Sequence, residues 1–187
     1  MVRFLVLFAI FAVMAGCMGG DDPVSSDRLG ALVLQPEDVP EAFDRFDEGR
    51  LGPTDAPAGQ RRDPARFGRT GGWKARYRAT GAAPGGMLLI ESRIDAFAES
   101  AGADQDLDAY RNQVVAEEAD VGDEALVTTA RQEAEPRPIR FTTVAWRQGG
   151  VTASVLVQGF EDALSNEPVL ELARKQEERI ARSSGGD

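Results

Sequence analysis

The sequence predicts an α+β domain, a mostly antiparallel sheet packed by helices. Three observations predict it. Residues Ile139 to Arg147 and Val151 to Phe160, joined across Gln148-Gly149-Gly150, read as a β-hairpin. Residues 165 to 182 carry apolar side chains at helical spacing. Along the whole chain the patterns run helix, strands, helix, strands, helix, an order that gives α+β rather than alternating α/β layers.

In Ser26-Asp27-Arg28-Leu29-Gly30-Ala31-Leu32-Val33-Leu34 an N-cap precedes apolar residues, and Pro36 and Pro40 then interrupt them. The spacing predicts one or two short helical turns. Residues 44 to 72 are rich in Gly, Pro, Asp and Arg and read as a long irregular stretch, anchored by Phe46 and Phe67, that drapes over the core or moves. Beyond it Trp73, Ala75, Tyr77 and Ala79 alternate with Lys74, Arg76 and Arg78, which makes a strand with one wet face. After the turn Ala83-Pro84-Gly85-Gly86, the run Met87 to Phe97 is first continuously apolar and then alternating, as a central strand is.

Asp104, Asp106 and Asp108 precede Leu107, Tyr110, Val114 and Val115 at helical spacing. Acids in a first turn complement the helix dipole, so an amphipathic helix is expected to begin near Asp104. Val121-Gly122-Asp123-Glu124 then turns into a strand, Ala125 to Thr129. In the hairpin, a two-residue loop puts Val144, Trp146, Val151, Ala153 and Val155 on one face, the expected core face, and Thr143, Arg147, Thr152 and Ser154 on the other. The last helix starts near Ser165 or Asn166, tolerates Pro168 in its first turn, and ends near Arg182 before Ser183-Ser184-Gly185-Gly186. Val169, Leu172, Ala173, Gln176 and Ile180 form its inner stripe, with Glu171 to Lys175 and Glu178 to Arg182 as favourably oriented i,i+4 pairs.

The head of the chain has a different logic. Met-Val-Arg is followed by the apolar run Phe4 to Val13 and the small residues Ala15-Gly16 before Cys17. Even extended through Met14 and Ala15 to about 12 residues, the apolar run is short of the roughly 20 that a spanning helix needs, so residues 1–16 are expected to be a removed export signal. Met14-Ala15-Gly16-Cys17 resembles the bacterial lipobox, with Met in place of the commoner Leu. That resemblance implies a diacylglycerol thioether on Cys17 and cleavage before it, which anchors the protein at the outer face of the cytoplasmic membrane. Residues 17–25 then form a flexible tether, residues 26–184 one extracytoplasmic domain and residues 185–187 a tail.

Composition closes off several chemistries. The chain has no histidine and one cysteine, so His-based triads, imidazole metal sites and intrachain disulfides are excluded, and lipidation removes the thiolate. Its net charge is −10, and removal of residues 1–16 takes away one charge, that of Arg3, leaving −11; a surface of that sign repels nucleic acid. Asp104-x-Asp106-x-Asp108 has the opening spacing of a calcium loop, but Ala109 stands where the turn glycine belongs and Val115 where the bidentate acid belongs, so helix capping is the expected role. Gly68-Arg69-Thr70-Gly71-Gly72, with Arg61, Arg62 and Arg66 nearby, offers backbone N–H groups and positive charge to an anion or glycan. It lacks the Gly-Lys-Ser/Thr ending of a phosphate loop, and a turn with solvated arginines is expected instead. Asp123-Glu124 is read as a polar strand entry, because adjacent strand residues face opposite ways, and Trp73 and Trp146 as core residues rather than the walls of a pocket.

Three segments resemble those of actinobacterial lipoproteins and sensor-like extracytoplasmic domains. They are Leu34 with Asp38-Val39-Pro40-Glu41-Ala42-Phe43, Val121-Gly122-Asp123-Glu124-Ala125, and Val144-Ala145-Trp146-Arg147-Gln148-Gly149. In the first, Ala42 departs from the usual Gly. The resemblance implies a Mog1/PsbP-like α+β sandwich and a binding or accessory role, with no catalytic residues to carry over. The expected function is therefore a non-catalytic, lipid-anchored binding module for an apolar envelope molecule or a protein partner, without cofactor or metal. The alternatives are a carboxylate-based hydrolase of cell-wall or glycan substrates and a purely structural envelope protein.

Overall fold

The computed structural model describes residues 28–55, 64–82 and 84–184. The export signal, Cys17, the tether, Arg61, Arg62 and the tail lie outside the described residues. One helical turn, α1 (Leu29–Leu32), leads into an antiparallel sheet of seven strands, and two longer helices pack on it. The strands are β1 (Phe43–Leu51), β2 (Arg69–Ala79), β3 (Met87–Phe97), β4 (Glu117–Ala119), β5 (Glu124–Gln132), β6 (Ile139–Gln148) and β7 (Val151–Phe160). Their spatial order is β1-β2-β3-β7-β6-β5-β4, with α2 (Ser100–Arg111) between β3 and β4 in the chain and α3 (Glu167–Ser184) at its end. This is the predicted α+β class, in the predicted order of elements.

The hairpin closes with Gln148 opposite Val151, so the loop is Gly149-Gly150, and Gly149 takes the positive φ of 54° that such a turn requires. Trp146 then sits opposite Ala153 and Val144 opposite Val155, all on the face buried by α1 and α3, as parity predicts. The inner stripe of α3 is buried at every predicted position, with Val169, Leu172, Ala173 and Ile180 joining the main core. Gln176 is buried among them because its amide is used twice: Ser92 Oγ donates to Gln176 Oε1 at 2.8 Å, and Gln176 Nε2 donates to Arg93 O at 3.0 Å. Ser92 Oγ also accepts from Leu34 N at 2.9 Å, which pins the segment after α1 to the same place.

Several expectations fail, each for a physical reason. The irregular stretch from residue 44 contains β1, an edge strand of nine residues whose charges Asp44, Arg45, Asp47, Glu48 and Arg50 guard an edge paired on one side only. Phe46 is no core anchor: it is the extra residue of a bulge between Arg45 and Asp47, 44% exposed, with the Arg78 guanidinium 5.6 Å from its ring centre. Helix α2 starts at Ser100, straight off the end of β3, so Asp104, Asp106 and Asp108 lie beyond its first turn and face three different partners. The Glu171–Lys175 pair does not form either, because Lys175 Nζ donates to Asp38 O at 2.7 Å; Glu178 and Arg182 do meet, at 3.6 Å.

Candidate functional site

The second face of the sheet, under α2, holds most of the buried charge. On β3 the residues Glu91, Arg93 and Asp95 share this face and are all buried. Arg93 clasps Asp95 through Nε at 2.8 Å and Nη2 at 3.0 Å, and Arg69 Nη2 lies 2.5 Å from Asp95 on its other side. Gly72 makes this approach possible, since a Cβ there would come within 2.5 Å of Asp95 Oδ1. Arg69 Nη1 also donates to Asp55 O at 2.7 Å. Toward the sheet edge, Arg76 Nε donates to Glu91 at 2.6 Å, and Lys74 Nζ donates to Asp47 at 2.8 Å; that bond, together with the lysine charge, holds the Asp47 carboxyl below its ordinary range.

Helix α2 is held to this face by a small apolar cluster, Leu107 and Tyr110 against Leu126 and Ala145, and by polar ties. Thr152 Oγ1 donates to the buried Asp106 at 3.0 Å, and Tyr110 Oη and Thr128 Oγ1 are 2.9 Å apart. Arg147 lies 3.2 Å from Asp104, 3.5 Å from Asp123 and 3.2 Å from Glu124, while Arg111 binds Glu124 and Asp108. The hydrogen bond from Arg111 is the main cause of a lowered Glu124 pKa.

These partners settle several readings made from the sequence. Asp104, Asp106 and Asp108 turn to Arg147, Thr152 and Arg111, and so do not converge on a common point. Arg69 is consumed by Asp95 inside the domain, and Gly68 to Gly72 runs into a strand, so this segment presents no anion cradle. Asp123 and Glu124 do not face opposite ways: Asp123 precedes the strand, where alternation does not apply, and both carboxylates flank the Arg147 guanidinium. Trp146 is fully buried, with its Cδ1 2.5 Å from where a Cβ on Gly122 would be, and Gly122 takes a positive φ of 62°. Trp73 packs against that core from the β2 side and against Gly30 of α1. Trp146 is a core residue, as expected, and Trp73 is partly buried against the same core.

A concave feature lies elsewhere, at one end of the first face, and sequence reasoning missed it. It is a groove of about 230 Å³. Its walls are Pro40 from the segment before β1, Pro84, Gly85 and Met87 at the entry to β3, and Pro168 and Leu172 from the first turns of α3. Three prolines and a methionine make it mostly apolar and, on the proline side, stiff. Glu171 and Lys175, one helical turn apart, stand at its rim, and both are exposed. Among the described residues no group of three or more acidic side chains is placed to hold a metal ion, and no helix is long and apolar enough to cross a membrane.

No protein-family profile matches the chain, and no curated protein matches it. Among solved structures, the extracellular domain of PknH from Mycobacterium tuberculosis has the same fold: the TM-score is 0.54 at 14% identity, over 90% of this chain and 100% of that one. A Bacteroides thetaiotaomicron structure matches at a TM-score of 0.43 and 10% identity, over 72% of this chain and 40% of that one.

Proposed function

We propose that the chain is the precursor of a lipid-anchored, extracytoplasmic binding protein, held by diacylglycerol on Cys17 and taking a small ligand into the groove between Pro40, Met87 and Leu172. The location of that groove carries the reading. The chain enters the domain at α1, where Gly30 meets Trp73, and Trp73 pairs across to Ile94 on β3. The groove is at Met87, the opposite end of β3. At about 3.3 Å per residue the two ends are roughly 20 Å apart, so an anchor ahead of α1 would leave the groove clear of the point where the chain enters the domain. The extracellular domain of PknH, which has the same fold, supports the address; the Mog1/PsbP-like kinship and the binding role belong to the same proposal. Pairing of the buried carboxylates Glu91 and Asp95 with arginines supports a non-catalytic reading over a carboxylate hydrolase.

Substituting Cys17→Ser tests the anchor. A serine hydroxyl cannot form the thioether, and Cys17 precedes the domain in the sequence, so the variant is expected to leave the membrane fraction with its circular dichroism and melting midpoint unchanged. Retention of the serine variant on membranes after salt washing rules the anchor out.

A further inference from the structure

We propose that the groove binds a free α-amino acid with an apolar or aromatic side chain, the side chain filling the groove and the charged head lying between Glu171 and Lys175. This deepens the binding reading above and rests on it. Size sets the body of the ligand. A space of about 230 Å³ is below the range of sites that enclose a drug-sized molecule, and it suits a body no larger than one large side chain. Apolar walls made of Pro84, Met87, Pro168 and Leu172 leave such a body no hydrogen bond to make, so they select a hydrocarbon or ring.

Charge sets the head. Glu171 and Lys175 have the orientation that ordinarily favours an ion pair along a helix, yet Lys175 turns to Asp38 O at 2.7 Å. Glu171 forms no ion pair among the described residues. The rim therefore presents an unpaired carboxylate beside an ammonium with one of its three donors used and its position fixed. Residues four apart on a helix lie about 5–6 Å apart at Cβ, a span that an ammonium and a carboxylate on one carbon can bridge. A simple amine satisfies Glu171 only and a simple acid Lys175 only, so the site distinguishes the amino acid from either half.

Calorimetric titration of the full chain, purified in maltoside, tests this. The probes are L-phenylalanine, L-leucine and L-tryptophan, with phenethylamine and phenylacetate as half-ligands and glycine as a head without a body. Saturable one-site binding is expected for at least one of the three amino acids, at least tenfold weaker binding for each half-ligand, and none for glycine. The variant Glu171→Lys changes an exposed residue, so its melting midpoint should hold while its affinity for the amino acid falls at least tenfold. The proposal is overturned if none of the three saturates by about 10 mM, well above the weakest affinity worth calling specific. It is equally overturned if the half-ligands bind as tightly as the amino acid, or if Glu171→Lys binds unchanged. A failed titration leaves the Cys17→Ser result standing, and a membrane-retained serine variant leaves the titration standing, so the two readings fail separately.

Discussion

On the face that meets α1 and α3, strand β3 presents Ile90, Ser92, Ile94 and Ala96; on the face that meets α2, it presents Glu91, Arg93, Asp95 and Phe97. Both sets are buried to a similar degree, so burial alone does not separate the faces. What separates them is the source of stability. The first face removes apolar surface from water and admits few polar groups, among them Ser92 with Gln176 and Tyr77 with Leu34 O, whose hydrogen bonds are met. The second takes charges out of water and recovers the cost through mutual contacts among Arg69, Arg93 and Asp95. The first face should therefore tolerate loss of shape poorly and change of pH well, and the second the reverse.

The largest test of that comparison is Trp146→Ala, which empties a fully buried indole site between Val144, Ala153 and Gly122. Loss of about 4 kcal/mol in unfolding free energy is expected, the middle of the range for removing a buried aromatic. Denaturant melts measure it, and a loss no larger than that of Phe46→Ala at the exposed edge would overturn the assignment of faces. Next comes Asp95→Ala, which leaves two guanidinium groups buried without their carboxylate and should cost about 3 kcal/mol. Replacing Arg69, Arg93 and Asp95 together by apolar residues of similar volume should recover most of that loss. If the triple replacement is as unstable as the single one, the cluster stabilises the fold outright and the contrast between faces weakens.

The first face was legible in the sequence because its signals are periodic. Alternation in β6 and β7 and the 3.6-residue stripe of α3 each needed only a few residues to be read, and the turn Gly149-Gly150 fixed the register. β1 was not legible, because an edge strand with a bulge has no need of an apolar face and its charges mimic a loop. Glu91, Arg93 and Asp95 were visible only as the alternating part of a strand expected to be central; their signal was the alternation of sign along one face. The groove left no signal of that kind. Pro40, Met87 and Leu172 are distant in sequence and meet only because the first turns of α3 come down beside the entry to β3.

The smallest expected effect is on pH dependence at the second face, where the group concerned is Glu124. Arg111 and Arg147 hold Glu124 ionised and tie the end of α2 to β5 and β6. The hydrogen bond from Arg111, ahead of that from Arg147, sets the folded-state pKa below its ordinary value of 4.5. For a carboxyl whose folded pKa is depressed, the native state binds fewer protons than the unfolded state on the acid side, so this contribution is fully present above 4.5 and is lost as pH falls through the lower folded value. Glu124 is partly exposed, with 34% of its side chain accessible, and solvent screening keeps the effect small. Hydrogen exchange of the α2 amides should therefore stay slow relative to the unfolded chain at pH 5 and lose protection below pH 4, while the α3 amides keep theirs. Glu124→Gln should flatten the α2 profile across that window and leave α3 as it was. Equal acid sensitivity of α2 and α3, unchanged in the glutamine variant, would show that the two faces do not differ in the way their buried groups imply.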